Sequence, residues 1–113
     1  MLPADLPISD ALKSAAIPLG HLGVRDIASP RTQALEIVSA LAGTPWAILG
    51  GDVFVVRQGA FAYALANWHS DRHADESCSD FVQRSHDETR RYIERYPEKN
   101  DTVSYGLVFA LCI

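Results

Sequence analysis

Basic charge is what this chain has least of relative to need. Ten lysines and arginines stand against fourteen aspartates and glutamates, a formal net charge of −4. A protein that tracks nucleic-acid phosphates carries a basic stripe, so no nucleic-acid partner is expected. Cysteine is scarce as well. Cys78 and Cys112 stand far apart, too few to read as a disulfide framework, and each reads as a buried, inert thiol. No apolar run approaches the roughly 20 residues that span a bilayer, so no membrane partner is expected. The opening "MLPADLPISD" lacks a basic segment followed by an apolar one, which sets aside a secretory signal. Together these absences lead to an expectation of a reducing, cytoplasmic location. Repeats, low-complexity tracts and linkers are also missing.

What remains is an ordinary globular composition, 48% hydrophobic and 21% charged over 113 residues. That length reads as one domain, residues 1–113, able to bury about two thirds of its unfolded surface without staples. The acidity is concentrated. Between Asp71 and Glu88 six acids (Asp71, Asp75, Glu76, Asp80, Asp87, Glu88) face two bases (Arg72, Arg84), so this segment equals the net charge of the whole chain. Such a block is either a solvated face or a surface complementary to a basic partner.

Periodicity supplies the elements. "SDALKSAA" predicts a short helix capped by Ser9 or Asp10, with Leu12, Ala15 and Ala16 on one face and Pro18 as its stop. A short strand is expected around Val24 to Ala28. "SPRTQALEIVSALAGT" predicts a helix with Ser29 as N-cap, Pro30 in its first turn, an apolar face of Ala34, Ile37, Val38 and Leu41, and Gly43 as a left-handed cap. "WAIL" begins a strand, and "DVFVVRQGAFAYALANW" reads as a hairpin turning at Arg57 to Ala60. In its second arm the alanines 60, 62, 64 and 66 share one face, which suggests a helix packed close against it. "CSDFVQRSHDETRRYIERY" predicts a long helix with Cys78, Phe81, Val82, Ser85, Thr89, Tyr92, Ile93 and Tyr96 as its inner stripe, His86 outside it, and i,i+4 charge pairs on the outer face. "TVSYGLVFALCI" predicts a strand buried on both faces. The expected fold is α+β: a mainly antiparallel sheet of about four strands with helices packed on one face.

Few residues are arranged for chemistry. In "ILGGDVFVV" the glycines open a strand rather than a helix, so "LGGD" is not a phosphate loop. Gly50 and Gly51 read as backbone devices, permitting a bulge or turning the chain into the hairpin. Asp52 reads as the cap of that bend or an exposed contact. His69, His73 and Cys78 are chemically suited to zinc and form the alternative function, a small metal-dependent enzyme or sensor, although their spacing matches no closed site. Ser85, His86 and Asp87 are consecutive and diverge around a helix, so they are no triad. No catalytic residues, metal or cofactor are therefore expected, and the chain is not expected to be an enzyme. Trp68 reads as core packing or, if exposed, as an anchor for a protein partner.

The segments "IPLGHLGVRD", "ILGGDVF", "NWH" and the helix ending "YIERY" resemble the immunity protein 40 family of bacterial polymorphic toxin systems, over roughly residues 10–97. The most specific parts are Gly50 to Phe54 and Asn67-Trp68. A departure is His69, where the family more often carries an aromatic residue. The resemblance implies a small protein that neutralises a cognate protein toxin by binding it, and it carries no catalytic residues over. The expected binding surface is Asp71, Asp75, Glu76, Asp80, Asp87 and Glu88, with Asp52 and Trp68 beside them, on a monomer or weak homodimer.

Overall fold

The computed structural model of the chain describes residues 3, 5–14, 17–18, 27–57, 59–98 and 102–113. The helix α1 (Asp10–Ser14) is followed by β1 (Ile17–Pro18), β2 (Ile27–Pro30), α2 (Arg31–Ala40), β3 (Trp46–Arg57), β4 (Ala60–His69), α3 (Cys78–Arg95) and β5 (Val103–Leu111). The strands form one antiparallel sheet in the order β1-β2-β5-β3-β4. The α+β class is as the sequence indicates. The element detail differs from the expected order: "WAIL" and "DVFVV" are one long strand, and two short strands lie before α2.

The local rules hold at most element ends. Ser9 accepts from the Leu12 N–H at 3.2 Å and so caps α1; Ala15 and Ala16 lie outside the described residues. At α2 the expected cap is off by one. Pro30 (φ −60°, ψ 163°) is the N-cap, because the chain remains extended through its pairing with Ser104, and Ser29 belongs to β2. The apolar face of α2 is as expected, with Ala34, Ile37, Val38 and Leu41 buried. Gly43 has φ +77°, two residues beyond the C-cap Leu41, where an L side chain would be strained. Ser77 caps α3, its hydroxyl accepting from the Asp80 N–H at 3.1 Å.

The core lies between the sheet and the helices. Ile37 and Val38 of α2, its C-cap Leu41 and Ile93 of α3 meet Ile48, Val53 and Val55 of β3 and Val103, Tyr105 and Leu107 of β5. β5 sits between β2 and β3, which is why its first five residues are all buried. In β4, Ala62, Ala64, Ala66 and Trp68 are half-buried while Tyr63, Leu65, Asn67 and His69 are exposed. Ala64, Ala66 and Trp68 pack on the core, so the small-residue face does lie against it.

Two expectations fail here. Cys78 and Cys112 form a disulfide, Cα atoms 5.4 Å apart, joining the first residue of α3 to the residue after β5. A distance of 34 residues in sequence says nothing of distance in space, and the central β5 returns the chain to the foot of α3. The cysteines are therefore not free thiols, and the bond is of a kind that persists where the environment oxidises. His86 is the second: it is buried on the inner side of α3, not outside the stripe.

Candidate partner-binding site

The glycines of "ILGGDVF" do not turn the chain into the hairpin; that turn lies at Gly59, φ +78°. Gly50 and Gly51 lie within β3, beside a break in register with β5 between Ile48 and Gly50. Gly50 has φ +148°, and a Cβ there would meet the Trp68 carbonyl oxygen at 2.2 Å. A Cβ at Gly51 would lie 2.4 Å from the Gly106 carbonyl oxygen and 2.6 Å from Cη2 of Trp68. Both positions exclude any side chain: at Gly50 the β4 backbone approaches β3, and at Gly51 the β5 backbone and the Trp68 ring do. Asp52 is mid-strand, paired with Asn67 and Gly106, so it caps no bend. It is half-buried.

Trp68 is the central piece. Its indole N–H donates to Thr89 Oγ1 at 3.0 Å, its ring stacks on Tyr92 with centroids 4.5 Å apart, and it meets Tyr105 edge-on at 6.4 Å. The packing role is thus observed. The part left uncovered lines two surface hollows. One, of about 460 Å³, includes His69, Glu88, Arg91, Tyr92 and Arg95. The other, of about 230 Å³, includes Asp52, Asn67, His69 and Val108.

Polar bonds fix α3 to the irregular part of β3. The buried Ser85 hydroxyl accepts from the Ile48 N–H at 3.1 Å and donates to the Val82 carbonyl at 2.8 Å. His86 Nε2 lies 2.7 Å from the Trp46 carbonyl oxygen. A carbonyl only accepts, so Nε2 carries the proton. Where the ladder breaks register, side chains of α3 take up backbone groups that would otherwise be buried without partners. The signal for His86 was present: 82, 86, 89 and 93 recur at helical spacing.

The six acids of the 71–88 segment divide into two sets. Arg84 gathers one of them. It donates to Glu76 Oε1 and Oε2 at 2.8 Å each, to Glu88 Oε1 at 2.7 Å and to the Asp71 carbonyl at 2.6 Å. Glu88 also accepts from the Ser70 hydroxyl at 2.8 Å. The Glu76 carboxyl is held down to about 2, first by the bond from Arg84 and then, against some burial, by the His73 N–H and the charge of Arg84. The same partnership raises the Arg84 guanidinium above its ordinary value. Glu76 and Glu88 thus organise the loop before α3. The other set, Asp71, Asp75, Asp80 and Asp87, is exposed, and none is paired to a lysine or arginine among the described residues. Asp71 lies 3.8 Å from His69, and Asp87 accepts from Gln83. Of the i,i+4 pairs expected on α3, Arg84–Glu88 is formed.

The metal alternative does not assemble. Cys78 is bonded to Cys112 and offers no thiolate, and no group of three or more His, Cys, Asp or Glu side chains suited to a metal occurs among the described residues. No described helix is long and apolar enough to cross a membrane. Of the "IPLGHLGVRD" segment, residues 19–26 lie outside the described residues.

Compared with known proteins, residues 18–109 match a family model described as Immunity protein 40. No curated protein and no solved structure matches the chain.

Proposed function

The chain belongs to the immunity protein 40 family, and from that premise we propose that it binds a cognate polymorphic toxin and neutralises it by covering the active or substrate-binding site with an acidic surface. The observation that supports the mechanism is the second set of acids. Asp71 and Asp75 in the loop before α3, Asp80 in its first turn and Asp87 at its middle stand exposed and unpaired with any described lysine or arginine, while Glu76 and Glu88 hold that loop against the helix. A toxin that acts on nucleic acid is basic where it binds substrate. Clustered carboxylates raise its encounter rate and occupy the cleft in the substrate's place. A contact of ordinary size buries about 1,600 Å² in total. Asp52 and Trp68 belong to the rim of that surface on this reading, and the protein works as a monomer or weak homodimer without metal or cofactor.

The encounter is placed in the producer's cytoplasm, and whole-cell thiol trapping tests that placement. Alkylated Cys78 and Cys112 support it; a bond intact inside cells moves the encounter to an oxidising compartment. The function itself is tested by coexpression with the toxin domain encoded by the adjacent gene. Restored growth with a copurifying complex supports it. Rescue without a complex contradicts it.

A further inference from the structure

Leu65 breaks two local rules at once. It has φ +58°, among the described residues the only positive φ outside glycine, and it is 92% exposed. The left-handed region is strained for an L residue with a bulky side chain, and glycine or asparagine is the usual occupant. The cause is a bulge. Tyr63 pairs with Phe54 and Asn67 with Asp52, so the three residues 64–66 stand opposite the single residue Val53. This happens on β4, an edge strand whose sequence "AFAYALANWH" contains no proline, lysine, arginine or acid to discourage pairing. A bulge alone blunts an edge. A leucine at its tip does not serve solubility, and the same hairpin also exposes Tyr63 and Val56.

We infer that Leu65 is an apolar anchor that inserts into a pocket on the basic protein toxin, distinct from the acidic surface and complementary to it. This rests on the immunity reading above. The backbone argues that the partner is a different protein rather than a second copy. A symmetric β4–β4 pairing would centre on the middle of Ala60–His69, where the backbone leaves extended geometry at Leu65. Asp71 lies six residues beyond Leu65, at most about 20 Å away along an extended chain, so one partner of ordinary footprint covers both the anchor and the loop. The acids then govern the rate of encounter and Leu65 the lifetime of the complex.

Stopped-flow and surface-capture kinetics with the adjacent-gene toxin domain test this, using Leu65→Asn and Leu65→Ala. Asparagine tolerates the left-handed backbone, so neither the fold nor the bulge depends on the leucine. Both variants should keep the association rate and its salt dependence, dissociate about 10–100-fold faster, and melt no lower than wild type. An unchanged dissociation rate in a complex that wild type forms overturns the anchor and leaves the immunity reading standing. A wild-type homodimer that Leu65→Asn dissolves overturns it too, because the leucine is then covered by a second copy. Absence of any wild-type complex overturns the immunity reading and the anchor with it.

Discussion

Gly51 and Trp68 face each other across the β3–β4 ladder, and the indole occupies the space that a side chain at Gly51 would need. This joins the two most distinctive stretches of the sequence, "GGDVF" and "NW", into a single packing unit, with Tyr92 of α3 closing it from above. Gly51→Ala should therefore destabilise the fold by about 1–3 kcal/mol in urea denaturation. The cost should be less than additive with Trp68→Ala, since one of the two obstructing groups is then gone. A Gly51→Ala protein as stable as wild type would show that the backbone yields and the slot is not tight.

Ser85→Ala tests the attachment of α3 to β3. It leaves the Ile48 N–H buried without its acceptor, a loss of about 1–3 kcal/mol, and the Ile48 amide should exchange with solvent faster than its neighbours in β3. Uniform protection along the strand in the variant would mean that another group takes the bond.

Much of this was readable beforehand. The elements came from periodicity, because apolar residues at helical spacing in α2 and α3 and alternation in β4 have one economical burial each. The central place of β5 followed from its unbroken apolar run. What escaped depends on tertiary proximity. Nothing local says that Cys112 returns to Cys78, that the Gly51 Cβ would meet an indole seventeen residues on, or that Arg84 collects Glu76 and Glu88 while leaving four aspartates exposed. Trp68 was legible as packing, but its partner Thr89 was not. The bulge that exposes Leu65 is hidden for the same reason: β4 alternates in sequence straight through it.

The disulfide closes a loop containing all of α3 and all of β5. Cys78→Ser, or reduction of the wild type, should lower stability by about 2–4 kcal/mol while leaving the strand content measured by circular dichroism intact. Equal denaturation midpoints with and without reductant would remove the bond from the account of stability.

Acid should loosen the loop before α3. The Glu76 carboxyl is held at about 2 in the folded protein, against about 4.3 in an unfolded chain. Between those values the unfolded state binds more protons, so stability rises with pH there. The contribution of Glu76 is therefore complete above pH ~5 and lost as pH falls toward about 2. Glu76→Gln should flatten this part of the stability profile and lower stability at neutral pH. A variant with the wild-type acid slope would show that the Arg84 clamp is not what acid breaks.

Charge on the exposed aspartates is the central claim, and the variant that isolates it leaves Glu76 and Glu88 in place. Asp75→Asn, Asp80→Asn and Asp87→Asn together remove three charges without touching Arg84. The decisive measurement is the association rate of this variant and of wild type with the adjacent-gene toxin domain across a salt series. The variant should associate about 10-fold more slowly at low salt, lose much of the salt dependence seen for wild type, and melt within about 1 kcal/mol of it. Equal association rates at every salt concentration, with equal protection of growing cells, would contradict an acidic surface as the means of neutralisation.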